Sequence, residues 1–167
     1  MSLSCGCLNY SRIMGKLITD NITRQIYCVS TPLLDVSDVN DSTTMATKNC
    51  VNTSPTFNVG GFTINQANGI TVPVRGLYMI CFNCYMFSSA DRENVMVSVS
   101  IEGKQTNFAA HGYIRDFDGH QHSSVANNQI AYLQAGQTAN LMFMREADSG
   151  TCQLIGTNSH FAMAKID

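Results

Sequence analysis

The chain has 167 residues, a formal net charge of -2 and only 13% charged residues, against about 25% in an average globular domain. Neutral polar residues fill the gap (15 Asn, 15 Ser, 14 Thr and 8 Gln), while 44% of the chain is apolar. That balance excludes a disordered chain, leaves no basic footprint for nucleic acid, and favours strand surfaces and turns over the charged faces of a helical bundle.

Residues 1–24 show no sustained period and read as an amino-terminal tail, with the globular domain expected over 25–167. The tail carries Cys5-Gly-Cys7, candidates for an interchain disulfide in a chain with an odd count of seven cysteines. Its first residues lack the basic and apolar regions of a signal peptide, and no run reaches the ~18 apolar residues of a membrane span. The expectation is a mature extracellular chain. Four Asn-x-Ser/Thr sequons, at Asn9, Asn21, Asn40 and Asn52, agree with it and crowd the first third of the sequence.

Gln25–Thr31 reads as a short strand and Pro32–Thr47 as a polar loop. Strands are then expected at Phe57–Ile64, Ile70–Pro73, Leu77–Phe87, Val95–Ile101, Gln105–Ala110, Gln129–Gln134, Ala139–Arg145, Cys152–Ile155 and His160–Ile166. Turn signals such as Asn68-Gly69, Glu102-Gly103, Ala135-Gly136 and Ser149-Gly150 separate them. Short strands at this spacing specify a sandwich or barrel.

The faces of the strands carry more. Val95, Val97, Val99 and Ile101 alternate with Met96, Ser98, Ser100 and Glu102, giving one dry and one wet face. Leu77–Phe87 is apolar on both faces: Leu77, Met79, Cys81, Tyr85 and Phe87 on one, interrupted by Asn83, and Tyr78, Ile80, Phe82, Cys84 and Met86 on the other. Leu141–Met144 behaves alike. One face of such a strand meets the core, and without helices the second is expected to meet another subunit. Tyr78, Ile80, Phe82, Tyr85, Leu141 and Phe143 are therefore candidates for core or subunit interface, and Phe161 of the expected His160–Ile166 strand joins them. Cys81 and Cys84, three apart on a strand, point to opposite faces and do not form a redox or zinc pair.

The run Ile70-Thr-Val-Pro73-Val-Arg-Gly76-Leu-Tyr78-Met-Ile-Cys-Phe82 resembles the signature of the complement C1q globular-head domain, a relative of the tumour necrosis factor jelly rolls. Gln129–Leu141, with its Ala135-Gly136 turn, is similar to a later strand pair of that family, and Asn158–Ile166 to its closing strand. Met163 and Asn140 depart from the pattern, where the family usually has glycine and an aromatic residue, and no Gly-X-Y repeat is present. The resemblance implies an all-β, ten-stranded jelly-roll sandwich assembled as a homotrimer.

By the same resemblance, Asp116 and Asp118 are candidates for calcium, which favours oxygen-rich loops. His120 and His122, two apart on an expected strand face, could converge on a transition metal by threefold repetition. His111 and His160 are assigned no role. Ser123 and Ser124 sit near His122 but in no nucleophile motif, so no catalytic activity is expected. The expected function is a secreted, non-catalytic trimer that recognises glycans, microbial surfaces or protein partners through its loops. A matrix-building or cytokine-like trimer that engages a cell-surface receptor is the alternative.

Overall fold

The computed structural model describes residues 25–39, 44–115, 119–147 and 150–167. Among the described residues there is no helix, and eleven strands follow in order: β1 Cys28–Pro32, β2 Ala46–Thr47, β3 Phe57–Val59, β4 Thr63–Asn65, β5 Gly69–Thr71, β6 Gly76–Ser88, β7 Arg92–Ile101, β8 Lys104–Arg115, β9 His122–Leu133, β10 Thr138–Ala147 and β11 Cys152–Lys165. Two antiparallel sheets face each other. The inner sheet runs β3-β1-β11-β6-β9 and the outer sheet β4-β5-β10-β7-β8, with β2 added beside β10. The architecture is the expected jelly-roll sandwich, and among the described residues no helix is laid over either sheet.

The strand count differs from ten for local reasons. Gly60 and Gly61, both at positive φ, break the expected Phe57–Ile64 strand into β3 and β4. A register shift between Ile155 and His160 lets β11 run on as one bulged strand where two were expected. Ala46–Thr47 pairs with β10 inside what the sequence presents as a loop. Strands β8 and β9 also extend well past Gln105–Ala110 and Gln129–Gln134.

Turn chemistry sets the β7–β8 hairpin. Glu102 (φ 53) and Gly103 (φ 74) form a two-residue turn with both residues left-handed, which matches the twist of the flanking strands. The turn is tied to β10, because Glu102 Oε1 accepts from Thr138 N at 2.5 Å and from Thr138 Oγ1 at 3.1 Å.

The core lies between the sheets. Tyr78, Ile80, Phe82, Cys84 and Met86 of β6, with Phe161 and Met163 of β11, face Val95, Val97 and Val99 of β7 and Leu141 and Phe143 of β10; all are buried. Tyr78 keeps its polar tip satisfied by donating to Val74 O at 2.7 Å, and its ring meets Phe62 edge-on with centroids 6.1 Å apart. Ser98 and Ser100, expected on a wet face, are buried too. A register shift in the β7–β8 pairing lies beside them, where Ser98 Oγ donates to Phe108 O at 2.9 Å and Thr106 Oγ1 donates to Val99 O.

Candidate functional site

The outward face of the inner sheet is the candidate. The register aligns Ile130, Met79, Ala164, Cys28 and Val59 in one row across all five strands, and Asn128, Cys81, Ala162, Ser30 and Phe57 in the next. Cross-strand neighbours share a face, so the row has small side chains at its centre and large apolar ones at both edges. At the β9 edge Ile130 is 63% and Tyr132 55% exposed, with Tyr132 paired to the exposed Leu77. Phe57 and Val59 are exposed at the β3 edge. The result is a shallow apolar trough floored by Ser30, Ala162 and Ala164.

The β9 edge also meets the outer sheet. Thr106 Oγ1 of β8 lies 3.0 Å from Gln129 Oε1 of β9, and Gly112 packs on Val125 so closely that an added Cβ would lie 2.3 Å from its Cγ2. Phe108, between those two contacts on β8, stands 63% exposed. Phe108, Ile130 and Tyr132 are thus exposed on β8 and β9, the two strands that meet along this edge of the sandwich.

Of the seven candidates for core or interface, Tyr78, Ile80, Phe82, Leu141, Phe143 and Phe161 lie in the core between the sheets. Only Tyr85 faces outward, half-buried in the trough sheet. It stacks on His122 with ring centroids 5.2 Å apart and an interplanar angle of 4°, while Phe87 meets the same imidazole at 5.2 Å and 54°. His120 precedes β9, which begins at His122, so the two histidines do not share a strand face. Asp116 and Asp118, and likewise Cys5, Cys7, Asn9, Asn21 and Asn40, lie outside the described residues. No group of three His, Cys, Asp or Glu converges among the described residues.

Asn52 is half-buried, and its Oδ1 accepts from the Ser54 backbone N–H at 2.9 Å. Cys84 faces the core and Cys81 the trough, on opposite sides of β6. Burial pushes the Cys50 thiol up to about 12 and the Cys84 thiol well above its ordinary range. Desolvation, reinforced by the Glu93 carboxylate, also raises Cys152. These three thiols stay protonated and unreactive at neutral pH.

One feature of the site's surroundings escaped sequence reading. Glu93 and Arg145 point inward, and Arg145 Nη1 lies 3.4 Å from Glu93 Oε1. Ser88 Oγ donates to Glu93 Oε2, Arg145 Nη2 donates to Gly150 O at 2.7 Å, and Asp38 Oδ1 lies 3.7 Å from Arg145 Nε. One guanidinium thus ties together the segments around Asp38, Glu93 and Gly150 at one end of the sandwich. The available signal was phase: Glu93 falls in step with Val95, Val97 and Val99, and Arg145 with Leu141 and Phe143.

No family model and no curated protein matches this sequence. Solved structures do match in fold. The chain is similar to the Eiger TNF of S. frugiperda, with a TM-score of 0.58, 17% identity and coverage of 86% of this chain and 94% of that one. Murine APRIL at pH 5.0 matches with a TM-score of 0.55, 16% identity and coverage of 85% and 100%. The fold is the tumour necrosis factor-like jelly roll that the complement-head resemblance implied.

Proposed function

We propose that this chain is a non-catalytic extracellular module that assembles as a homotrimer and engages a protein receptor on a cell surface. The observation that carries the reading is the apolar trough on the inner sheet of a sandwich in which no helix among the described residues covers it. In a threefold ring a patch meets a different surface of its neighbour rather than itself. The edge bearing Phe108, Ile130 and Tyr132 supplies that surface, seated over Ser30, Ala162 and Ala164 of the next copy. Low surface charge fits this arrangement, since charged residues are depleted at interface cores. The fold shared with Eiger TNF and APRIL supports the cytokine-like form of the reading.

Light scattering on the purified chain at micromolar concentration tests the assembly. The expected mass is three times 18.3 kDa, and a monomer would overturn the proposal. Receptor engagement is tested by binding of the labelled trimer to cells. Protein recognition predicts loss after protease treatment of the cells and persistence after glycosidase treatment; the reverse pattern would assign a glycan ligand. Calcium at Asp116 and Asp118 belongs to the glycan-binding form of the reading and is tested by calorimetric titration with calcium.

A further inference from the structure

The outward face of the outer sheet carries a different kind of row. Across three adjacent strands, His111 of β8 stands opposite Met96 of β7, which stands opposite Met144 of β10. Met142 is the next outward residue on β10, and Met45 immediately precedes β2, whose pairing with β10 runs Met142 to Thr47 and Phe143 to Ala46. The inward residues of the same strands, Val95, Val97, Phe143 and Ile114, fill the core, so the thioethers and the imidazole are left on the other side. His111 is exposed, and Met45, Met96, Met142 and Met144 are half-buried.

We propose that His111, Met96 and Met144 form a binding site for one soft monovalent cation, with Cu(I) as the metal. Thioether sulfur and imidazole nitrogen together select Cu(I), whereas hard cations need carboxylates and carbonyls, which this row lacks. The geometry permits it. The outer two residues are separated by two strand spacings, about 9.6 Å, and Met96 lies midway. An imidazole reaching in from one side and a flexible thioether from the other close on a metal seated over Met96. Met142 and Met45 lie beside Met144 as further soft donors. The strands fix all three side-chain origins, so only side-chain torsions are ordered on binding. The site lies on the sheet opposite the trough and does not depend on trimer formation.

Competition for Cu(I) against a chromogenic chelator under reducing, anaerobic conditions tests the proposal. The background is the full chain carrying Cys5→Ser, Cys7→Ser and Cys81→Ser, because accessible thiols would otherwise bind the metal first. One equivalent is expected to bind. Met96→Leu, close in volume to the native residue, is expected to weaken binding at least 100-fold, as is His111→Ala, while Met79→Leu on the opposite sheet leaves it unchanged. Ag(I) added to protein carrying 13C-labelled methionine methyl groups provides a second readout. The Met96 and Met144 methyl resonances should shift and those of Met86 and Met163, in the core, should not. Binding unaffected by Met96→Leu, or silver shifts confined to other methionines, would overturn the site.

Discussion

Glu93 and Arg145, 52 residues apart in the chain, meet at 3.4 Å between the two sheets, with both side chains withdrawn from solvent. The pair is held in register because β7 and β10 are hydrogen-bonded neighbours and both residues sit on their inward faces. Removing one partner of a buried ion pair leaves the other charged and desolvated, at a cost of about 3–5 kcal/mol. Arg145→Ala is therefore expected to lower unfolding free energy by that amount in urea titrations. An apolar double replacement, Glu93→Leu with Arg145→Met, should recover most of it. A loss below about 1 kcal/mol for Arg145→Ala alone would show that the pair is solvated.

The trough makes a separate prediction. Placing a carboxylate at Ile130 buries an unpaired charge in the proposed contact, worth about 2–5 kcal/mol, or roughly 30- to 4,000-fold in dissociation constant. Ile130→Asp should run as a monomer in light scattering at concentrations where the parent is trimeric. Its circular dichroism should not change, since Ile130 contributes little to its own core.

Thiol burial predicts a pH dependence. Cys50 ionises near 9.0 when exposed and near 12 in the fold, because burial disfavours the thiolate. The folded pKa lies above the unfolded one, so this contribution is fully present below pH 9 and is lost as pH rises towards 12. Cys84 and Cys152 act in the same direction. Stability measured by denaturant should fall steadily above pH 9, and Cys50→Ala should reduce the slope. At pH 8 a thiol reagent should modify Cys50, Cys84 and Cys152 only after denaturant is added.

Closure of the sandwich at the β8–β9 corner depends on Gly112. A methyl group there would lie 2.3 Å from Val125 Cγ2, and both residues are buried. Overpacking of this kind costs about 1–3 kcal/mol. Gly112→Ala should lower the midpoint of thermal unfolding, and adding Val125→Ala should restore part of the loss by opening space.

Much of the fold was legible because strand residues alternate with a period of two. Val95–Ile101 declares a dry face on its own, and Glu102-Gly103 declares a hairpin turn whose two left-handed residues the structure shows. The limits of the reading came from contacts between distant segments. Ser98 and Ser100 look solvated in sequence, yet the register shift in the β7–β8 pairing accompanies their burial. Glu93 and Arg145 look like surface charges until the pairing of β7 with β10, which sets Arg145 opposite Val95 and Glu93 opposite Ala147, brings the two within 3.4 Å on the inward face.

The composition that opens the sequence, short of charge and rich in Asn, Ser, Thr and Gln, determined that the chain is built of strands, and the spacing of those strands determined a sandwich or barrel. The order of residues also determined that β6 is apolar on both faces, since that is written in consecutive side chains. Which face enters the core was decided only by tertiary structure. Tyr78, Ile80 and Phe82 were buried and Leu77, Met79 and Tyr85 turned outward when pairing with β9 and β11 fixed the side of the sheet on which the second sheet packs. The same pairing assembled the trough and the methionine–histidine row, because both are lines drawn across strands, at right angles to the sequence.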